Sequence, residues 1–334
     1  MPPPPLLDKV LITGVAGFIG SQIAKRFLKE GFRVLGIDNF DPYYPKDYKL
    51  LRLKEILENP NFEFYEVDFS DKGRLRGVFE KGGISGILHI GAKAGVRASI
   101  RDPESYIKAN VIGTLNILDL MVEFGIRRIL MASTSSIYAG HKPPFVEDMK
   151  TDTPISPYAV SKKAAENLLY TYHHLHSLDA WVLRYFTVYG PEGRPDMSIF
   201  KLFYCAYSGE EFPVFGDGNQ RRSFTFIDDV VEGTFSAYKV MKGFEVINIG
   251  NDRDESLMEV IGIIEEITGR KIKVKFFEFN RADILETKAD ISKARRILGW
   301  EPKTDIYTGL MKTSEWFEEN WERVREIFPR LPQI

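Results

Sequence analysis

Short apolar runs and amphipathic stretches take turns along the first half of the chain. KVLIT (9–13), RVLGID (33–38), FEFYEVD (62–68), GILHI (86–90), RRILMAS (127–133) and AWVLRYF (180–186) have the length and the branched or aromatic content of strands. Between them, the stretch from Phe18 to Lys29 and residues 47–57, 74–81, 104–125 and 156–176 have helical periodicity, and 104–125 ends on a glycine. Strands alternating with helices predict parallel pairing through right-handed crossovers. The strands are nearly continuous apolar runs, which predicts a sheet covered on both faces. The fold class is therefore α/β, a doubly wound parallel sheet. Past residue 190 proline, glycine and aromatic residues increase and the elements shorten. This divides the chain into a sheet domain over 1–188, with a return segment at 226–250, and a smaller α/β domain over 189–225 and 251–334. KFFEF (275–279) reads as a strand, and WFEENW (316–321) as the buried face of a terminal helix.

Composition excludes several classes. With 334 residues, 44% hydrophobic and 28% charged, the chain can bury a sizeable core. Its 45 basic and 47 acidic residues give a net charge of -2, so no global field draws it to nucleic acid. Cys205 is the one cysteine, which rules out a disulfide within the chain and suits a cytoplasmic compartment. Cys205 itself reads as a small buried residue in a helix. MPPPPLLDKV has neither the basic region nor the apolar run of a signal peptide, and Pro2 to Pro5 read as a disordered tail. No apolar stretch approaches a membrane span, so no membrane partner is expected. His173, His174 and His176 spread around a helix without partner ligands, so no metal is expected.

The glycine motif carries the first chemistry. In TGVAGFIGS (13–21), Gly14, Gly17 and Gly20 follow a strand and open a helix. That context is the Rossmann turn, in which backbone N–H groups approach a pyrophosphate at a helix N-terminus. The spacing is G-x-x-G-x-x-G rather than G-x-G-x-x-G. Asp38 ends the second strand, eighteen residues after Gly20. A carboxylate there accepts from a ribose 2′-OH and repels a 2′-phosphate, which favours NAD over NADP. The competing reading is a glycine turn without a ligand. Tyr158 and Lys162 lie four apart in a helix and share a face. A neighbouring ammonium favours phenolate, so this pair can move a hydroxyl proton during hydride transfer. ASTSSIY (132–138) ends the fifth strand, and strand ends of this kind open on the ligand crevice. Thr134, Ser135 and Ser136 are therefore site candidates, with a self-satisfied polar loop as the alternative. In YGPEGRPDM (189–197), Gly193 and Pro195 stiffen a loop around Arg194, a guanidinium suited to one fixed anion. The plainer alternative is an ion pair with Glu192 or Asp196.

Together these residues resemble the extended short-chain dehydrogenase/reductase family, and more closely its NAD-dependent UDP-glucuronate 4-epimerases. The segments GVAGFIGS, GIDNFDPYY, AKAGVRASI, ASTSSIY, YFTVYGPEGRPDM, RSFTFIDDVV and NIGN carry the likeness, which runs from about Lys9 to the helix around Trp316. The resemblance implies Thr134, Tyr158 and Lys162 as catalytic residues. For the cofactor it implies Phe18 and Ile19 beside the pyrophosphate, Asn39 next to Asp38, and Asp68 and Phe69 beside adenine. It also implies Lys93 near the nicotinamide ribose and Asn110 facing the nucleotide. Around the UDP-sugar it implies Ser135, Ser136, Thr187, Arg194 and Phe215, with Arg222 on the pyrophosphate and Asp283 on the uridine ribose. Two departures stand out: Asn280, with Arg281 next to it, where relatives carry arginine or glutamine, and Ala139 where glycine is usual.

Related 4,6-dehydratases carry an Asp-Glu pair after the threonine, and related UDP-glucuronate decarboxylases carry T-S-E. Here the sequence is T-S-S, so no carboxylate stands there for chemistry at C5. The resemblance thus implies epimerisation at C4, with UDP-glucose 4-epimerase, UDP-glucuronate decarboxylase and a non-catalytic NAD-binding sensor as alternatives. The long helices at 104–125 and 157–176 resemble those that pair across a family homodimer.

Overall fold

The apolar runs pair in parallel. In the structure, a computed structural model describing residues 8–278 and 285–332, six strands come from the alternating region: β1 (Lys9–Thr13), β2 (Arg33–Asp38), β3 (Phe62–Glu66), β4 (Ile84–His89), β5 (Arg128–Thr134) and β6 (Asp179–Tyr185). Shorter strands follow: β7 (Thr187–Tyr189), β8 (Phe212–Phe215), β9 (Arg221–Arg222) and β10 (Phe224–Phe226). Then β11 (Phe244–Ile249) returns to the main sheet, whose order is β11-β6-β5-β4-β1-β2-β3. The order reverses direction between β1 and β4, the switch point at which open α/β sheets bind ligands. Within β1, Val10 and Ile12 join one buried cluster and Leu11 the other, so both faces are covered. The proline-rich start, Asn280, Arg281 and Asp283 lie outside the described residues.

Three small sheets accompany the smaller elements. β7 pairs with β10, β8 with β13 (Val274–Phe277), and β9 lies between β12 (Glu255–Ser256) and β14 (Glu286–Thr287). Helices Ser198–Ser208, Leu257–Thr268 and Ile306–Ile327 pack with them. The WFEENW segment does supply the buried face of the last helix, where Phe317 stacks on Phe203 with centroids 5.2 Å apart. Cys205 is buried, in the Ser198–Ser208 helix.

Two helices depart from the periodicity. The stretch expected over 74–81 is a helix at Lys72–Phe79, because Asp71 caps it by accepting from Arg74 N–H at 3.1 Å. The single helix expected over 104–125 is three pieces: Pro103–Ile107, a π turn at Lys108–Ile112, and Gly113–Phe124. The π turn coincides with Asn110, whose side chain exchanges two bonds with the Lys93 backbone, at 2.8 and 2.9 Å. Ser156 caps the Pro157–His176 helix through Ala159 N–H at 3.2 Å, with proline at its first position.

Beneath that helix lies a buried ion pair. Arg184 on β6 donates to Glu166 through Nε at 3.0 Å and Nη2 at 2.8 Å, and both side chains are 3% exposed. Ser133 Oγ donates to the same carboxylate at 2.6 Å. Arg184→Met is expected to cost about 3–5 kcal/mol, because Glu166 would be left buried without its cation. Adding Glu166→Gln should recover part of that loss, as urea unfolding of the single and double variants would measure.

Candidate active site

One cleft of about 650 Å³ opens over the C-terminal strand ends. Gly14, Gly17, Phe18, Ile19 and Gly20 line it, as do Asp38, Asn39, Asp68, Phe69 and Lys93. Thr134, Ser135, Ser136, Tyr158 and Lys162 line the same space, with Thr187, Arg194 and Arg222. Asn110 does not line the cleft; it is buried, and its side chain holds the Lys93 backbone and Ser161 Oγ. Phe215 does not line it either, but stacks on Phe277 at 5.6 Å and lies under the Arg97 guanidinium at 4.1 Å. The call on Asp283 lies outside the described residues.

The glycine turn is built by close backbone approach. Gly14 has φ +68°, and a Cβ there would sit 2.5 Å from Gly91 Cα. A Cβ on Gly20 would sit 2.2 Å from the Gly14 carbonyl oxygen. Gly17 precedes the Phe18–Lys29 helix without a side-chain cap, so first-turn N–H groups are left for an anion. Asp38 accepts from Phe40 N–H at 2.8 Å and from Ala16 N–H at 3.1 Å. Burial pushes its carboxyl above the usual range, with Lys49 and these N–H groups opposing. Asp68 accepts from Ser70 N–H at 2.8 Å and Asn39 Nδ2 at 3.2 Å, bonds that outweigh burial and keep its carboxyl low. A cradle that any Cβ would fill, beside an acidic residue on the neighbouring strand, fits a dinucleotide.

Thr134 closes β5, and its hydroxyl accepts from Ser136 N–H at 3.1 Å in the turn Ser135–Tyr138. Tyr158 lines the same cleft, and the Thr134 hydroxyl is near enough to favour its phenolate. Burial raises the Tyr158 pKa, and the opposing influences are Thr134 and the Arg194 cation, not Lys162. The lowering expected from Lys162 is thus absent in the chain alone, because desolvation dominates. Lys162 is itself brought down to about 8 by burial, with Glu166 opposing.

Around the remaining wall, Arg194 donates to Asp196 through Nε at 3.0 Å and Nη2 at 2.5 Å. Burial works against its charge, and Asp196 more than offsets that, so its pKa is raised. Arg222 Nη1 donates to the carbonyls of Arg221 at 2.8 Å and Leu285 at 3.2 Å. Lys93 Nζ donates to Ser105 Oγ at 3.1 Å, with Asp41 and Asp102 carboxylates at 3.6 and 3.7 Å.

A sequence model described as the NAD dependent epimerase/dehydratase family matches residues 10–250. The chain belongs to this family. A UDP-glucuronate 4-epimerase of Thermodesulfobacterium geofontis is 49% identical over 318 residues, 95% of this chain and 98% of that one. A crystal structure of UDP-glucuronic acid 4-epimerase from Bacillus cereus, in complex with UDP-glucuronic acid and NAD, is 33% identical. It superposes with a TM-score of 0.88 over 93% of this chain and 99% of that one. A UDP-glucose 4-epimerase of Thermotoga maritima with UDP-glucose is 30% identical, with a TM-score of 0.85, over 94% of this chain and 99% of that one.

Sequence reasoning missed one residue on which this epimerase/dehydratase site is framed. His89 ends β4 beside Thr13. Thr13 Oγ1 accepts from Gly91 N–H at 2.9 Å and is hydrogen-bonded to His89 Nδ1 at 2.8 Å. Thr114 Oγ1 donates to the Asn110 carbonyl at 2.6 Å and so accepts from His89 Nε2 at 3.0 Å. The Thr114 bond requires a proton on Nε2, and burial keeps the imidazole neutral, so Nδ1 accepts from Thr13. Asn110 then reaches Ser161, whose hydroxyl donates to the Tyr158 carbonyl at 2.8 Å. The chain of bonds runs from the nucleotide turn to the Tyr158 helix. GILHI read as an ordinary strand, and a histidine within it carried no separate signal. Burial, then the Lys162 cation, push the His89 imidazole from 6.5 down to about 3. Below 6.5 the unfolded chain takes up a proton that the folded chain refuses. The stability His89 contributes is therefore complete above 6.5 and is lost as pH falls towards 3. Between these limits denaturation midpoints should fall more steeply for the native protein than for His89→Gln, by up to about 1.4 kcal/mol per pH unit.

Proposed function

We propose that the chain is a UDP-glucuronate 4-epimerase, interconverting UDP-glucuronate and UDP-galacturonate through a transient 4-keto sugar. The observation that carries this reading is one cleft lined by the dinucleotide cradle, by Thr134, Tyr158 and Lys162 and, where C5 chemistry would need a carboxylate, only by Ser135 and Ser136. The named relatives support the same substrate class. Residues 1–188 with 226–250 would hold the cofactor, and 189–225 with 251–334 the UDP-sugar.

NAD, when bound, supplies a hydride acceptor and donor, and a positive ring that favours the Tyr158 phenolate. Gly14, Gly17 and Gly20 with the helix start bind its pyrophosphate, and Asp38 its adenosine ribose. Tyr158 Oη takes the proton from the sugar O4 and returns it after the sugar has turned over. Thr134 orients that hydroxyl, and Lys162 holds the nicotinamide ribose. Arg222 grips the UDP pyrophosphate as a fork of fixed donors. Thr187 and Arg194 receive the C5 carboxylate; with Asp196 on Nε and Nη2, the Nη1 group is the edge turned to it. The 4-keto sugar is a β-keto acid, which loses CO2 when the breaking bond aligns with the carbonyl π system. A held carboxylate keeps that bond out of alignment.

One observation favours a second reading, UDP-glucose 4-epimerase: Arg194 already has a carboxylate partner in Asp196 and so needs none from a substrate. The single cysteine supports a cytoplasmic site of action, and among the described residues no helix is long and apolar enough to cross a membrane. A homodimer is supported by Ile107, Ile112 and Val160, apolar and exposed on the Tyr158 helix and the segment packed against it.

Incubation with UDP-glucuronate should yield UDP-galacturonate, resolved chromatographically, and Tyr158→Phe should lower turnover by about a thousandfold while nucleotide-sugar binding survives. Product from UDP-glucose alone would reverse the substrate assignment. Arg194→Ala should lose rate on UDP-glucuronate by about a hundredfold and leak some UDP-pentose, with little loss on UDP-glucose. An unchanged preference would return Arg194 to a structural ion pair. Sedimentation should give twice the 38.3 kDa chain mass, and Val160→Asp should halve it.

A further inference from the structure

Arg52 is fully buried on the helix Lys46–Leu57. Its contacts reach both loops of the active site. Nη1 donates to the Ala16 carbonyl in the glycine turn at 3.4 Å and to Tyr44 Oη at 2.7 Å. Nε donates to the Glu192 carbonyl at 2.9 Å and Nη2 to the Gly193 carbonyl at 3.0 Å. Tyr48 Oη donates to the same Gly193 carbonyl at 3.0 Å, and its ring lies 4.6 Å from the guanidinium carbon.

The loop held in this way is the one that carries Arg194. Glu192 adopts φ +59°, a left-handed conformation that a non-glycine residue keeps only when its surroundings impose it. From the Phe18–Lys29 helix, Gln22 Nε2 donates to the Glu192 carboxylate at 2.7 Å, and Lys25 pairs with it at 3.5 Å. Ala16 in turn donates its N–H to Asp38. One guanidinium therefore ties the cofactor turn to the two residues before Arg194. Its hydrogen bonds go to neutral groups, three carbonyls and a phenol, so no carboxylate offsets the burial of its charge, and its removal alone would leave carbonyls of both loops without their donor.

We propose that Arg52 is a positioning residue that sets the Arg194 loop against the cofactor turn and thereby fixes discrimination for a sugar bearing a C5 carboxylate. This rests on the reading of Arg194 as the carboxylate ligand. The linkage has a geometric consequence: the cofactor and the carboxylate are registered through one rigid planar group, so a small shift of the loop moves C4 relative to the hydride-transfer position.

The test uses the full chain loaded with NAD. Dissociation constants for UDP-glucuronate and UDP-glucose are measured calorimetrically for the native protein, Arg52→Met, Arg52→Lys, Tyr48→Phe, Arg194→Ala and the Arg52→Met/Arg194→Ala double variant. KM and kcat are measured on UDP-glucuronate. Arg52→Met should weaken UDP-glucuronate binding about tenfold, raise KM in step and leave UDP-glucose binding within about twofold. Arg52→Lys should not restore it, because an ammonium cannot bridge three separated carbonyls. The double variant should be no worse than Arg194→Ala alone. If Arg52→Met does not fold, Tyr48→Phe, which keeps the ring and deletes one bond to Gly193, should shift the same ratio in the same direction. Equal losses on both sugars, an unshifted ratio, or multiplying losses in the double variant would overturn the inference. If Arg194→Ala removes the preference and neither Arg52→Met nor Tyr48→Phe shifts it, only the inference fails. If Arg194→Ala leaves the preference intact, the carboxylate reading and the inference fall together.

Discussion

The site depends on two backbones that touch where the sheet reverses direction. Gly14 after β1 and Gly91 after β4 approach so closely that a side chain on Gly14 would overlap the Gly91 Cα. That contact lets the first turn curl under the strand ends. It also brings Gly20 against the Gly14 carbonyl, which sets the Phe18–Lys29 helix end-on to the cleft. The Thr13–His89 bond lies one residue before the contact on β1 and two before it on β4, and holds the two ends in register. A dinucleotide site made mainly of backbone N–H groups has no side chains with which to correct an error in strand spacing. The spacing itself must be right, and glycine at both positions is what permits it.

A second layer of buried polar groups transmits that geometry to the reacting side chains. His89 passes it to Thr114 and Asn110, Asn110 to Ser161, and Ser161 to the Tyr158 carbonyl. From below, Glu166 accepts from Ser133 and Arg184 one turn beyond Lys162. These groups are costly to bury and are almost fully satisfied, the condition under which a polar network rigidifies its surroundings. The result is a Tyr158 phenol and a Lys162 ammonium whose pKa values are both displaced towards their neutral forms by the same desolvation. Charge on the cofactor ring or substrate then has a large effect on proton position, since both groups are desolvated by the protein around them.

Much of the fold is legible because parallel sheets write themselves as apolar runs, and TGVAGFIGS, Asp38 and ASTSSIY locate the crevice in the sequence. What could not be read was long-range. Nothing in ESYIKANVIGTLNIL announces a π turn, because its cause is Asn110 reaching back to the Lys93 backbone. Asn110 was placed against the nucleotide, whereas its amide is spent on protein. Arg52 carries no signal of its own within the helix at 47–57, and only the fold shows three carbonyls converging on it. Local periodicity reports what a residue's own element requires, and these residues answer to other elements.

Under the proposed reading of Arg194 as the carboxylate ligand, a paired charge can still select a ligand. Asp196 occupies the Nε side of the fork, and Tyr43 Oη donates to the same carboxylate at 3.3 Å. Such a carboxylate keeps the guanidinium charged in a half-buried place and fixes the plane in which its remaining N–H groups lie. An arginine without it would have to be oriented by the substrate, at an entropic cost on every binding event. Epimerisation sharpens the demand. The sugar must turn between the two hydride transfers while its nucleotide stays anchored, so the anion partner must be found again in the same place after the turn. A loop tied at Glu192 and Gly193, carrying a guanidinium held at one edge, meets that demand better than a mobile one. The ion pair that looked like the structural alternative is, on this view, what makes Arg194 usable as a recognition group.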